Sequence, residues 1–229
     1  MAVRESRGNM YGFIDFSWNP VRGKCPYDCA YCYVKRWGDR QKPLHIDRSF
    51  LNVSLGKGNF VFVCSGCDLF HPDTPEQWIA EVRKNALRFP DNKYLWHTKN
   101  PQRLVELIEP GPNDFACATI ESNIHRPCVG GAPPPSERTA ALREWKGPRM
   151  VTVEPVMDFE TAKFADMILS CKPAQVNIGA DSGKNGLPEP SPDKVRTLVH
   201  ILEQHTAVYV KPNLRRLMPE GLTAGEGRK

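Results

Sequence analysis

Long apolar runs are missing from this 229-residue sequence; none approaches the ~20 residues that a bilayer-spanning helix requires. The opening stretch, Met1 to Arg7, carries charge but no apolar region of the kind that marks a secretory signal. Both absences lead to the expectation of a cytoplasmic protein with no membrane partner. Disulfide density is lacking too, since eight cysteines in 229 residues are too few to staple a small secreted domain. In a reducing compartment they stay thiols, and clustered thiols suggest a metal. No linker divides the chain, because the Gly- and Pro-rich stretch Val129–Pro135 is short enough to be a loop. One domain is expected over residues 1–218, with a flexible tail at 219–229. A large excess of one charge is also absent. Lys and Arg number 31 against 26 Asp and Glu, a net +5 that permits a phosphate-bearing partner without requiring one. With 40% hydrophobic and 25% charged residues, the composition is globular and argues against disorder.

What is present is an alternation of strand and helix signals. Runs rich in Val, Ile, Phe and Tyr occur at Gly12–Phe16, Phe60–Cys64, Lys93–Thr98, Phe115–Ile120, Met150–Glu154, Gln175–Gly179 and Ala207–Lys211. Most are continuously apolar, which suits strands covered on both faces. Helix signals lie between them. Thr74-Pro75-Glu76 reads as a cap, a first-turn proline and an early acid opening a helix to about Leu87. Others span Pro101–Ile108, Ser136–Trp145, Thr161–Leu169 and Ser191–Gln204. Strand and helix repeating in this way predict an α/β fold with a parallel sheet. A complete eightfold barrel takes ~250 residues, so an open sheet or an incomplete (β/α) barrel of about six to seven strands is expected.

In such folds, ligands bind beyond the carboxyl ends of the strands. Those ends read Cys25–Cys32, Ser65-Gly66-Cys67-Asp68, His97-Thr98-Lys99-Asn100, Glu121-Ser122-Asn123, Glu154-Pro155, Asp181-Ser182-Gly183 and Lys211-Pro212-Asn213. Ordinary turn residues would be expected at the ends of a bland fold. The first loop holds Cys25, Cys29 and Cys32 in a C-x3-C-x2-C pattern, close enough for three thiolates to serve one metal centre. A [4Fe–4S] cluster normally takes four cysteines, so three would leave one iron open to a ligand from outside the protein. The competing reading is zinc, completed by a fourth His or Cys in a nucleic-acid-binding module.

The cysteine motif, with Tyr31 directly before its last cysteine, resembles that of the radical S-adenosylmethionine (SAM) superfamily. The resemblance extends to Phe16–Val21, Val61–Pro72, His97–Leu104, Val153–Pro155 and Ile178–Gly183, and covers residues 12–215. Together these stretches look like a compact radical SAM family of phages and bacteria linked with hypermodification of thymidine in phage DNA. The resemblance implies a [4Fe–4S] cluster on Cys25, Cys29 and Cys32, with SAM on the open iron. It also implies reductive cleavage of SAM to a 5′-deoxyadenosyl radical that abstracts hydrogen from substrate. A flavodoxin- or ferredoxin-type donor would reduce the cluster, in the host cytoplasm if the chain is phage-encoded.

The resemblance suggests roles for the remaining strand ends. Ser65, Gly66, Cys67 and Asp68 would approach the SAM amino group, although they depart from the usual Gly-Gly-Glu-like turn. Cys64 and Cys67 form a separate C-x2-C, for which packing plus SAM contact is weighed against a second metal or redox site. Glu121 and Ser122 are placed for the SAM ribose hydroxyls or as turn caps, and Asp181 for SAM or a nucleobase edge. Tyr31 would shield the cluster and the adenine. Glu154 ends an apolar strand, so it must be paired or face a polar cavity; as a catalytic candidate it would contact the SAM adenosine or the substrate, with a structural salt bridge as the alternative. Lys99 and Lys211 suit a substrate carboxylate or phosphate, with pairing to nearby acids as the alternative. With no cysteine-rich segment after Lys211, the expectation is not a peptide-maturing enzyme. The implied substrate is a nucleoside, nucleotide or DNA. The sharpest form is an isomerase moving a glycyl group on thymidine from N-linked to C-linked, which would help phage DNA evade restriction. A thymine-photoproduct lyase is the main rival.

Overall fold

Six of the seven apolar runs become strands within a residue or two of their expected bounds. In a computed structural model that describes the backbone of residues 3–5 and residues 10–36 and 42–218, the strands are β1 (Val3–Glu5), β2 (Phe16–Trp18), β3 (Val21–Arg22), β4 (His45–Ile46), β5 (Phe60–Val63), β6 (Lys93–Thr98), β7 (Asp114–Thr119), β8 (Arg149–Val153), β9 (Gln175–Ile178) and β10 (Ala207–Val210). The main sheet runs β1-β2-β5-β6-β7-β8-β9-β10. Its seven strands from β2 onward are all parallel, and β1 adds to the edge antiparallel. The short pair β3–β4 stands apart from this sheet. The expected tail at 219–229 lies outside the described residues.

Helices α1 (Arg48–Leu51), α2 (Glu76–Ala86), α3 (Pro101–Leu107), α4 (Pro135–Arg143), α5 (Thr161–Ser170) and α6 (Pro192–Glu203) join the strands. The last begins as its sequence suggests, with the Ser191 side chain accepting from the Lys194 N–H at 3.4 Å and Pro192 at the first position. At α2 the expectation fails by one position. Pro75 is the cap, with no side-chain bond, and the Thr74 hydroxyl is buried without a partner. Strands β1, β3 and β4 and helix α1 carried no signal that was read in the sequence; each is only two to four residues long.

Side-chain alternation along the strands separates two faces. Val61, Val63, Tyr94, Trp96, Ala116, Ala118, Val151, Val153, Val176 and Ile178 point to one side, where they pack on Ile79, Leu104, Leu142, Phe164 and Leu198 of the helices. Phe62, Leu95, Cys117 and Met150 point to the other and meet no helix; they pack on Tyr11 and Ile14. Helices on one face alone define an incomplete barrel rather than a doubly wound sheet, in which both faces would be covered.

The run Gly12–Phe16 was expected as the first strand, but the strand begins only at Phe16. The residues before it enter the barrel instead. Tyr11 and Phe13 stack at 5.3 Å, Phe13 meets Phe60 and Tyr209 edge-on or tilted, and the Tyr11 hydroxyl bonds the Thr152 hydroxyl at 3.0 Å. Tyr209 in turn accepts the Gly12 N–H at 3.1 Å. Aromatic burial inside an otherwise hollow barrel outweighs local strand preference here. Tyr11→Ala is therefore expected to cost about 3–5 kcal/mol, the range for emptying a buried aromatic site, read as a fall in the urea midpoint at unchanged m-value.

Candidate functional site

Parallel strands send all their carboxyl ends to one edge of the sheet, so the chemically active residues of the sequence gather there. They form two groups. The first surrounds the cysteine loop. Cys25, Cys29 and Cys32 pack with Tyr27, Tyr31 and Ala132 in one small cluster. The loop is pinned from the segment after β7: Ala30 N–H donates to the Cys128 carbonyl at 2.9 Å, Gly131 N–H to the Tyr27 carbonyl at 3.1 Å, and the Cys29 thiol to the Val129 carbonyl at 3.2 Å. Gly130 has φ +65, and a Cβ there would lie 1.8 Å from the Tyr27 carbonyl oxygen. Only glycine permits that approach.

Glu121, at the end of β7, gathers the rest of this group. Its carboxylate accepts from the Tyr31 hydroxyl and from Arg138 Nη1 at 2.8 Å, and lies 3.8 Å from Lys99 Nζ. Lys99 also sits over the Tyr31 ring at 5.4 Å. Arg138, on α4, is 1% exposed and binds the carbonyls of Pro133 at 2.5 Å and Thr119 at 2.9 Å. Burial first, and then the Glu121 charge, push the Tyr31 phenol well above its usual pKa. Burial works against the charge on Lys99, but Cys29 and Glu121 outweigh it and raise its pKa. The Cys25 thiol is lowered to about 7 by a hydrogen bond from Cys67, whose own pKa rises through the same bond.

The turn after β5 touches this group. Asn19, which the sequence reading passed over, accepts from the Gly66 N–H at 2.9 Å and the Ser65 hydroxyl at 3.3 Å. Tyr33 donates to the Ser65 carbonyl at 2.7 Å. Cys64 adopts a positive φ of 55 to begin the turn. Asp68 ties two strand ends together: it accepts from the Thr98 hydroxyl and the Lys99 N–H, each at 2.7 Å, and from the Phe70 N–H at 3.0 Å.

The second group stands at β8, β9 and β10. Lys211 donates to Glu154 at 2.7 Å and sits 4.7 Å from the centre of the Tyr11 ring. Asn213 donates to Glu154 at 3.2 Å and to the Ala180 carbonyl at 2.7 Å. Gly179 leaves the room that Glu154 fills, since a Cβ there would lie 2.7 Å from its carboxylate. Asp181 folds its own loop, accepting from Gly183 N–H at 2.8 Å and Asn185 at 2.5 and 2.7 Å. Ser122 is the candidate set apart from both groups; its hydroxyl donates to the Asp158 carbonyl and accepts from the Ile124 N–H. Lys99 and Lys211 thus lie among carboxylates rather than as free cations. Arg138 was missed altogether, although a cation at stripe spacing with Leu142 and Trp145 was a legible signal.

Among the described residues, no group of three or more His, Cys, Asp or Glu is gathered as a single metal ion would need. An iron–sulfur cluster makes a different demand, because each thiolate takes its own iron and the sulfurs line a shared space. Three thiols packed around one loop fit that donor set.

A helical layer outside a partial parallel barrel, with polar residues at its carboxyl mouth, defines the class. The chain belongs to the family described as "Protein of unknown function (DUF5131)", whose model matches residues 10–188. No curated protein matches it. Solved structures of spore photoproduct lyase are similar in fold. A double mutant with bound AdoMet (SAM) and dinucleoside spore photoproduct gives a TM-score of 0.55 at 12% identity, over 86% of this chain and 64% of that one. The lyase complexed with dinucleoside spore photoproduct gives 0.60 at 12% identity, over 89% and 78%. This chain therefore spans slightly less than two thirds of the first of these structures.

Inside the barrel, His97 Nε2 meets the Thr119 hydroxyl at 2.8 Å, and its pKa falls to about 3 through burial first and then Lys99 and Lys211. In the unfolded chain the same imidazole takes a proton near its ordinary 6.5. Its contribution to stability is complete above pH 6.5 and is lost as pH falls from there toward 3, by up to about 1.4 kcal/mol per pH unit. Urea unfolding between pH 7 and 4 is expected to lose stability more steeply in the wild type than in His97→Gln.

Proposed function

We propose that the chain is a radical SAM enzyme acting on a thymine-containing nucleoside or DNA. The observation that carries this reading is the three-thiol loop of Cys25, Cys29 and Cys32 at the carboxyl mouth of a partial barrel. These residues would hold a [4Fe–4S] cluster with one iron left for SAM. When bound, cluster and SAM supply one-electron cleavage of SAM and abstraction of a substrate hydrogen. The protein's own part is placement and exclusion of water. Tyr31 and Glu121 wall the cysteine side, and the Ser65–Asp68 turn presents small residues and backbone where a SAM amino group would approach. The aromatic plug of Tyr11 and Phe13 closes the barrel from beneath.

Two substrate readings follow, with different support. The spore photoproduct lyase likeness favours a cross-linked thymine pair in DNA, cleaved by a lyase. The sequence resemblance favours a glycyl-bearing thymidine rearranged from N-linked to C-linked, with Lys99 or Lys211 meeting the carboxylate and Glu154 as a contact to substrate or to the SAM adenosine. In that second case Lys211 must exchange its bond to Glu154 for one to substrate. A flavodoxin- or ferredoxin-type protein is the proposed reductant.

Anaerobic reconstitution tests the reading. The expected protein is brown, with about four iron and four sulfide per chain as the [4Fe–4S] formula requires. With reductant and SAM it releases 5′-deoxyadenosine, and Cys32→Ala abolishes that release. Mass spectrometry of ultraviolet-damaged DNA and of glycyl-thymidine, each incubated with the enzyme, separates thymine repair from isomerisation. Colourless protein without iron would overturn the proposal.

A further inference from the structure

Two hydrogen-bond donors beside the cysteine loop are buried and find no partner among the described residues. One is Nη2 of Arg138; the other is the hydroxyl of Tyr27, a residue only 2% exposed. Leaving such a donor unsatisfied costs about 1–3 kcal/mol, and two in one neighbourhood ask for a shared explanation. The rest of Arg138 is fully engaged: Nε holds Pro133, and Nη1 holds Thr119 and Glu121. That engagement fixes the guanidinium plane and leaves Nη2 as the one idle arm. Tyr27 stands between Cys25 and Cys29 in the chain, and its ring is held edge-on by His71 at 4.3 Å. The two residues lie close enough for the Arg138 charge to act on the Tyr27 phenol. Tyr27 packs with the three cysteines and Ala132, next to the Pro133 that Arg138 grips.

The charges are informative as well. Arg138, buried, and Lys99, half-buried, stand around Glu121, while Asp68 acts on the Cys25 thiol and is bonded to Thr98, Phe70 and the Lys99 backbone. Cationic N–H groups beside three thiols suit a negatively charged group that accepts hydrogen bonds. A [4Fe–4S] cluster on three thiolates is such a group: four sulfides and three thiolates outweigh its irons, and its sulfurs accept hydrogen bonds. Hydrogen bonds to those sulfurs and nearby charge are what set a cluster's reduction potential.

We propose that Arg138 Nη2 and the Tyr27 hydroxyl are donors reserved for the sulfur atoms of the cluster, and that they raise its reduction potential by stabilising the added electron. The inference rests on the cluster proposed above. Both are positioning and tuning residues, not catalytic ones. Glu121 is the residue that keeps the Arg138 fork aimed.

The test is an anaerobic redox titration of the reconstituted protein followed by electron paramagnetic resonance, without SAM, so that any role toward SAM does not enter. Tyr27→Phe is the cleanest variant. Its lost hydroxyl has no partner among the described residues, so the melting temperature of the cluster-free chain is expected to stay within error of the wild type or to rise. The midpoint potential of its cluster is expected to fall. Arg138→Gln is expected to lower the potential further, by about tenfold in the reduction equilibrium, which is about 59 mV for one electron. Arg138→Lys, which keeps the charge but not the fork, should recover part of that shift, and it carries the arginine arm if the glutamine variant does not retain the cluster. Unchanged potentials in Tyr27→Phe and in the arginine variant that retains the cluster would overturn the inference while leaving the enzyme proposal standing. Wild-type protein that assembles no iron and sulfide would overturn the enzyme proposal itself, and this inference with it.

Discussion

The mouth of this barrel is organised by one buried carboxylate. Glu121 is 1% exposed and belongs to the end of β7, yet it holds Tyr31 from the cysteine loop, Arg138 from α4 and, at longer range, Lys99 from the end of β6. A charge in that position is tolerated only because cations and a phenol surround it, and removing one side of such a set leaves the other uncompensated. Loops that diverge in sequence by some 90 residues are thereby fixed against one another. A cysteine loop of eight residues with only a 3-10 turn after it has little rigidity of its own. Its shape is borrowed from Glu121 and from the backbone of residues 128–131.

The sheet supplies the second constraint. Because the helices cover one face only, the inner face has to be filled by something else. The chain uses its own residues 10–15 at one end and polar side chains at the other. From the plug toward the mouth, the interior changes from Phe60, Phe62 and Phe13, through His97 with Thr119 and Tyr11 with Thr152, to the ion pairs of Glu121 and Glu154. The gradient from apolar to charged places ionic groups at the end where parallel strands deliver their loops. The fold class and the site location are therefore two results of one arrangement.

Much of this was legible in the sequence. Continuous apolar runs such as Phe60–Val63 and Lys93–Thr98, broken by helices with clear proline starts, gave the parallel order and the position of the mouth. What escaped reading depended on contacts across the chain. Gly12–Phe16 looked like a strand because its composition is strand-like, but the aromatic interior of the barrel took Tyr11 and Phe13. The carboxylates Asp68, Glu121 and Asp181 were recognised as mouth residues, while the extent to which each binds its own protein could not be read from spacing. The partners of Asn19 and Arg138 escaped reading for a related reason: each acts on a turn or a carboxylate that lies elsewhere in the sequence, at 47 and 17 residues' distance.

The central claim is that the three-cysteine loop holds a cluster with one iron open to SAM, and electron paramagnetic resonance of the reduced protein addresses it directly. The account predicts the signal of a reduced [4Fe–4S] cluster whose g-values move when SAM is added, as they must if SAM ligates the open iron. A cluster signal indifferent to SAM, or reduced protein with no cluster signal at all, would contradict it.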